Sequence, residues 1–91
     1  MKIKDGVIIS EANGTFYLVD SGISGKRFNG MIKLNETGAE IARLLMNETT
    51  REAVTESLCA KYNISEETAS ENSDKIIDSL DGIGLIDHGN R

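Results

Sequence analysis

The chain has 91 residues, with only two Phe and two Tyr, and a formal net charge of −5 from 15 acidic and 10 basic residues. A chain this short forms one domain, residues 1–91, with a modest core, and its acidic surplus argues against binding nucleic acid or an anionic membrane. The single cysteine excludes an internal disulfide. The N-terminus has neither a long apolar stretch nor a small-residue cleavage site, which predicts a cytoplasmic protein.

The first third of the chain has the composition of short β-strands. Residues 7–9 and 15–19 are rich in β-branched and aromatic side chains. Asn13-Gly14 between them is the strongest two-residue signal for a hairpin. After a loop rich in Gly and Ser, residues 31–34 are predicted to form a third strand. Residues 1–34 are therefore expected to form a β-strand wing.

The remainder, residues 35–87, is expected to form a three-helix bundle. Asn35 and Ser65 are good N-caps for the first and third helices. Thr49 has capping-box spacing to Glu52, which predicts the start of the second helix. The apolar repeat of the third helix gives it an inner face of Ala69, Ser73, Ile76, Leu80 and Ile83, with Leu85-Ile86 beyond it folding back onto the core. The expected fold class is α+β, a small winged helix-turn-helix-like domain in which three short N-terminal strands precede three helices.

Residues that could carry catalysis or hold a metal are not clustered. Cys59 and His88 are the only cysteine and histidine, and 29 positions separate them. Metal ligands occur at short spacing, and nucleophilic catalysis needs a base beside the nucleophile. We therefore expect no catalytic residue, no metal, no cofactor and no enzyme activity.

The third helix occupies the place of a DNA-recognition helix, so a winged-helix transcription-type DNA-binding domain or regulator is an alternative interpretation. From Ser65 to Asp81 this helix carries six acidic residues against one lysine, Lys75. DNA repels a negatively charged recognition helix. The charge of this helix favours another kind of partner.

Residues 28–39 provide the most specific resemblance to a known family, and they read Phe-Asn-Gly-Met-Ile-Lys-Leu-Asn-Glu-Thr-Gly-Ala. The segment resembles the PqqD-like family, whose signature is a third strand ending in Leu-Asn, followed by Glu/Pro-Thr-Gly-Ala at the start of the first helix. The similarity extends over nearly the whole chain, through Tyr62-Asn63-Ile64-Ser65 to Gly84-Leu85-Ile86. Two positions depart from the family: Asn72 stands where Asp is frequent, and Ser73 stands where an apolar residue is usual.

The resemblance implies a recognition element and chaperone for ribosomally made peptides that are later modified. Such domains hold the leader segment of a precursor peptide and present it to a modifying enzyme, often a radical SAM enzyme. In the family the leader adds as a strand beside the third strand, in the groove that faces the third helix. The sequence leaves open whether this domain is a monomer or a weak homodimer.

The candidate peptide-binding residues combine this strand with one flank of the third helix. A helical wheel places Asn72, Lys75 and Ser79 on one flank and Ile77 on the other, and it does not decide which flank faces the strand. The polar flank with its single cation suits a peptide better. The candidate site is therefore Phe28, Met31, Ile32, Lys33, Leu34, Asn72, Lys75, Ile76 and Ser79.

Overall fold

The computed structural model describes residues 1–22 and 31–89 of the chain. Candidate residue Phe28 lies outside these ranges. The elements in chain order are β1 (Lys2–Ile3), β2 (Val7–Ala12), β3 (Thr15–Asp20), β4 (Met31–Leu34), α1 (Glu36–Leu44), α2 (Arg51–Tyr62), α3 (Glu66–Gly82) and β5 (Ile86–Asp87). The predicted α+β class, with a small sheet followed by three helices, is confirmed.

The main sheet is antiparallel and has the order β2-β3-β4. The β2–β3 hairpin turns at Asn13 and Gly14, whose φ angles of 54° and 81° are both positive. Two consecutive positive φ angles are characteristic of a type I′ turn, which the Asn-Gly pair predicts. Because β3 lies in the centre, β2 and β4 form the two edges of this sheet among the described strands.

The two faces of the main sheet have different environments. Directly paired residues point to the same face, so the register puts Leu18 and Leu34 on an inner face where both are buried. On the outer face Ile8, Val19 and Met31 form a row across the three strands. Ile8 is 52% exposed and Met31 is 60% exposed. The helices therefore cover only the inner face.

The first and third helices begin where the sequence predicts. The Asn35 side-chain oxygen accepts a hydrogen bond from the backbone N–H of Gly38 at 2.6 Å. The Ser65 hydroxyl accepts one from the backbone N–H of Thr68 at 3.1 Å. Each bond satisfies an amide at the helix start that has no partner within the helix.

The second helix begins one residue later than predicted. Its N-cap is Thr50, whose hydroxyl accepts a hydrogen bond from the backbone N–H of Ala53 at 3.1 Å. The expected cap, Thr49, donates its backbone N–H to the carbonyl of Met1 at 2.9 Å. Thr49 is thus tied to the N-terminal segment, and the capping-box spacing to Glu52 is not used.

The sequence pattern did not predict β1 and β5, which pair with each other in a separate two-stranded sheet. Lys2 lies opposite Asp87 and Ile3 lies opposite Ile86. The backbone N–H of Ile3 also donates to the carbonyl of Leu45 at 2.8 Å, beyond the end of α1. A strand of two residues is too short to show alternation, so no periodic signal marks it.

The buried face of α3 differs from the predicted one. The helix buries Ala69, Ser73, Ile77 and Leu80, and Ile77 has no exposed surface. The prediction was wrong for Ile83, which is 46% exposed, and it missed Ile77; Ile76 is half-buried and packs against the core at its margin. The four-residue steps from Ala69 to Ser73 lead to Ile77, because one face of a helix recurs every three or four residues.

A pair of isoleucine truncations tests this rotation of α3. We expect Ile77→Ala to lower the free energy of unfolding by about 2–5 kcal/mol, since it leaves a cavity in a fully buried site. The same change at the half-exposed neighbour, Ile76→Ala, removes less buried surface and is expected to cost about 1 kcal/mol. Urea unfolding of both variants measures the difference. Equal losses, or a larger loss for Ile76→Ala, would contradict the observed orientation.

Candidate functional site

The outer edge of β4 is open among the described residues. β4 pairs with β3 on one side, and no described strand pairs with its other side. Alternate residues of an edge strand direct their backbone N–H and carbonyl groups away from the sheet. The four residues Met31–Leu34 therefore present a short row of backbone groups to which another strand can add.

A cavity of about 90 Å³ lies where the start of α1 meets α3. Asn35, which follows the last residue of β4, lines this cavity. The edge of β4 and the cavity are thus consecutive along the chain, and we call the two together the edge groove. The lining residues of the cavity are Asn35, Thr37, Gly38, Ile41, Asn72, Lys75 and Ile76.

Glycine at position 38 allows close packing in the edge groove. A Cβ on Gly38 would lie 2.9 Å from the Asn35 side-chain oxygen and 3.3 Å from the terminal methyl of Ile76. A side chain at position 38 would therefore displace the N-cap of α1 or push against α3. This wall from α1 was not predicted as part of the site, although the Leu-Asn-Glu-Thr-Gly segment of the family resemblance contains most of it.

The edge groove includes three of the four candidate residues on α3. Asn72 and Ile76 are half-buried in the lining, and Lys75 is exposed there. Ser79 is exposed one turn after Ile76 and is not part of the lining. The flank that the helical wheel assigned to Ile77 is closed, because that side chain is fully buried in the core.

A larger cavity, about 350 Å³, lies between α2 and α3 and includes no residue of β4 or α1 in its lining. The Arg51 guanidinium donates hydrogen bonds to Asp74 at 2.7 Å and to Asp78 at 2.9 Å. The hydrogen bond to Asp78, and to a smaller extent that to Asp74, raises the pKa of Arg51 above its ordinary value. Every lining residue has a polar or charged side chain: Arg51, Glu52, Thr55, Glu56, Glu66, Ser70 and Asp74.

Reactive side chains are dispersed in the described part of the chain. Cys59 is a half-buried thiol on α2, and exposed His88 lies 2.9 Å from an Asp81 oxygen. Neither residue lines either cavity. Within residues 1–22 and 31–89, no three His, Cys, Asp or Glu side chains come together in a way that could hold a metal ion. Across those ranges, no helix has the length and apolar character needed to cross a membrane.

Two solved structures share this fold. TbiB1 in complex with the TbiA(beta) leader peptide superimposes with a TM-score of 0.73 at 21% identity, over 100% of both chains. Lasso peptide synthetase B1 complexed with the leader peptide gives a TM-score of 0.68 at 20% identity, over 92% of this chain and 93% of the other. No curated protein matches the sequence significantly.

Family membership follows from a sequence match rather than from these distant structures. The family model for coenzyme PQQ synthesis protein D (PqqD) matches residues 6–86. That span begins just before β2 and reaches β5, so it contains both parts of the edge groove. The chain belongs to the PqqD family.

Proposed function

We propose that this protein captures the leader segment of a ribosomally made precursor peptide as an added strand on β4 and presents it to a modifying enzyme. The observation that carries this proposal is the open edge of β4 beside the cavity lined by α1 and α3. Backbone pairing supplies affinity, and side chains buried in the groove supply specificity. Few other partners need an exposed strand edge and an adjoining groove together.

The comparisons support a peptide as the partner. Both solved structures that share the fold are described as complexes with a leader peptide. The sequence match to the PqqD family is independent of those structures. Together they favour a peptide over the other ligands that so small an edge groove could take.

The proposed contacts divide between backbone and side chains. Met31, Ile32, Lys33 and Leu34 would pair with the peptide backbone, and Phe28, outside the described residues, stays a predicted contact. Asn72, Lys75 and Ile76 would receive the peptide side chains that point into the groove, and Ser79, outside the lining, would contact the peptide one turn further along α3. Because Ile76 is half-buried and Lys75 is exposed, the α3 side of the groove offers one apolar contact and one cation.

The protein itself would perform no chemistry in this scheme. Its role would be to hold the leader so that the downstream part of the precursor reaches the active site of another protein, which we expect to be a radical SAM enzyme in the cytoplasm. A binder that releases its peptide after modification needs moderate affinity, and pairing along a strand of four residues is suited to that.

Binding to DNA through α3 is the competing function, and the charges on that helix weigh against it. Five of its six acidic residues are exposed, namely Glu66, Glu67, Glu71, Asp78 and Asp81. Arg51, the nearby guanidinium, is already bonded to two carboxylates. A thermal-shift panel of duplex DNA, common cofactors and short amphipathic peptides separates the two functions, since only the true ligand class raises Tm.

Backbone methylation of the peptide tests strand addition. A leader peptide encoded by a gene beside that of this protein is methylated at one amide nitrogen at a time. Amides that donate to β4 alternate with amides that point to solvent. We therefore expect affinity to fall at every second position, by at least about fivefold, since each hydrogen bond contributes about 1 kcal/mol. Isothermal titration calorimetry measures the series.

Chemical-shift mapping of the unmodified peptide complex provides the companion measurement. Shifts should concentrate on residues 31–34 and on residues 72–79. A scrambled peptide of the same composition is the control for nonspecific contact. Addition to β4 would be ruled out if the shifts were confined to residues of α1 and the loss of affinity did not alternate along the methylated peptides.

Charge reversal at Lys75 tests whether α3 contributes to binding. Lys75→Glu should weaken leader binding by more than about tenfold at low ionic strength. The lysine is expected to attract an acidic side chain or a carbonyl of the leader, and glutamate would repel it. The unfolding free energy should remain nearly unchanged, since Lys75 is exposed and forms no ion pair with a described residue. The loss should shrink in high salt, which screens exposed charges.

Lys4→Glu is the matched control for this charge reversal. Lys4 also forms no ion pair with a described residue, and it does not line the edge groove. The same change in net charge at Lys4 should leave leader affinity within about twofold. If Lys75→Glu binds the leader as tightly as the unmodified protein does, this flank of α3 takes no part in recognition.

A further inference from the structure

We infer that the peptide bound at β4 is acidic and carries carboxylates on opposite faces of its strand, one beside Lys33 and one reaching Lys75. This inference rests on the proposed function and adds the chemical class of the peptide. Two lysines that form no ion pair with a described residue flank the edge groove, one on each side. A bound strand passes between them.

The ion pairs of the described residues show how unusual these lysines are. Four Lys or Arg side chains in the described ranges form ion pairs with carboxylates: Lys2, Arg43, Arg51 and Lys61. Three others form no such pair with a described residue: Lys4, Lys33 and Lys75. Two of these three belong to the edge groove, since Lys33 lies on β4 and Lys75 lines the cavity. In a chain with a net charge of −5, an anionic ligand finds two available cations at this place.

The cation on the outer side is Lys33. It lies opposite Tyr17 of β3, which in turn lies opposite Ser10 of β2. The register puts the acidic residues of these strands, Glu11 and Asp20, on the inner face. A peptide residue beside Lys33 therefore shares its face with no carboxylate from β2, β3 or β4. Opposite charges directly across neighbouring strands attract each other.

The cation on the groove side is Lys75. It lines the cavity together with Asn72 and Ile76. At 100° per residue, the flank of α3 that runs from Ile76 through Asn72 to Lys75 contains no acidic residue. The same cavity contains the first turn of α1, where the positive end of the helix dipole favours a carboxylate. A peptide residue beside Leu34 points toward this cavity, because Leu34 faces the helices.

Strand geometry predicts how far apart the two carboxylates must lie along the peptide. Successive side chains of a strand point to opposite faces, so a residue beside Lys33 and a residue beside Leu34 are neighbours in the peptide. Two carboxylates that reach both lysines must therefore be an odd number of residues apart, at peptide positions i and i+1 or i and i+3. An even spacing puts both carboxylates on one face and leaves one lysine without a partner.

Lysine on an edge strand also has a general use, since it discourages edge-to-edge association of sheets. That role needs no carboxylate on a ligand and no particular spacing. It would explain Lys33, but it gives no reason for Lys75, which has no ion pair with a described residue and lies on the opposite side of the groove. The two explanations differ in whether the order of charges in a peptide matters.

Synthetic peptides of defined charge order separate these explanations. The probes are short peptides of Thr and Val that carry two adjacent Glu, or two Glu separated by one residue, with counterparts in which Gln or Lys replaces Glu. At low ionic strength we expect the adjacent-Glu peptide to bind about three- to tenfold tighter than its Gln counterpart. The isomer with even spacing should lose much of that gain. Fluorescence anisotropy measures affinity, and hydrogen exchange of the β4 amides reports strand addition.

Three variants assign the preference to individual side chains. Lys33→Gln and Lys75→Gln should each lower affinity for the adjacent-Glu peptide by about two- to fivefold, and neither should affect the Gln peptide. The double variant should bind the Glu and Gln peptides equally. Lys4→Gln removes the same charge outside the edge groove and should keep the full preference.

Each other outcome counts against a specific statement. Protection of the β4 amides by Glu and Gln peptides of equal affinity, or tighter binding of the Lys peptides, would overturn the inference and leave the proposed function standing. Equal affinity of the two Glu isomers would overturn the two-face arrangement. If no peptide of the panel protects the β4 amides, strand addition itself fails, and the inference fails with it.

Discussion

The rotation of α3 about its own axis is the constraint on which the edge groove depends. That rotation follows from burial of Ala69, Ser73, Ile77 and Leu80, which forms a continuous stripe against the core. Ser73 is tolerated in the stripe because its hydroxyl donates to the carbonyl of Ala69 at 2.8 Å, so this buried polar group has a hydrogen-bond partner. Once this stripe is inside, the neighbouring flank with Asn72 and Lys75 has to face the start of α1.

The start of α1 provides the opposite wall, and its shape depends on two local features. The Asn35 cap sets where the helix begins, directly after β4. Gly38 then leaves the space that its own Cβ would take from the cap and from Ile76. The strand edge and the helix start are thus adjacent because they are consecutive along the chain, and packing of α3 against the core brings its flank to them. A site built on such elements has less freedom to adjust than one built on loops.

Much of this arrangement could be predicted from the sequence, because the signals were local. The Asn13-Gly14 turn and the caps at Asn35 and Ser65 each depend on a few neighbouring residues, and these predictions are confirmed. The rotation of α3 could not be decided in that way. Ile76 and Ile77 are identical neighbours, both compatible with a helical repeat, and only packing against the sheet and the other helices distinguishes them.

The remaining differences have the same physical origin. Thr49 and Thr50 are adjacent residues with equal capping ability, and a backbone hydrogen bond to a residue far away in sequence decides between them. β1 and β5 exist because two distant segments meet. The cavity wall formed by α1 was likewise missed, since a pattern within one helix does not show what a second helix places opposite it. Long-range contacts, which a single sequence does not display, account for each of these cases.

The pairing of β1 with β5 has a consequence for how this domain can be connected to other proteins. Lys2 and Asp87 lie side by side, so both ends of the described fold leave the molecule at one place. A domain with adjacent ends can be inserted into a surface loop of a larger enzyme through two short linkers without distortion. If the domain were tethered in this way, a peptide bound to it would be held near the active site of the host enzyme. The effective concentration of the peptide there would be high, and linker length would set it rather than the affinity between separate proteins.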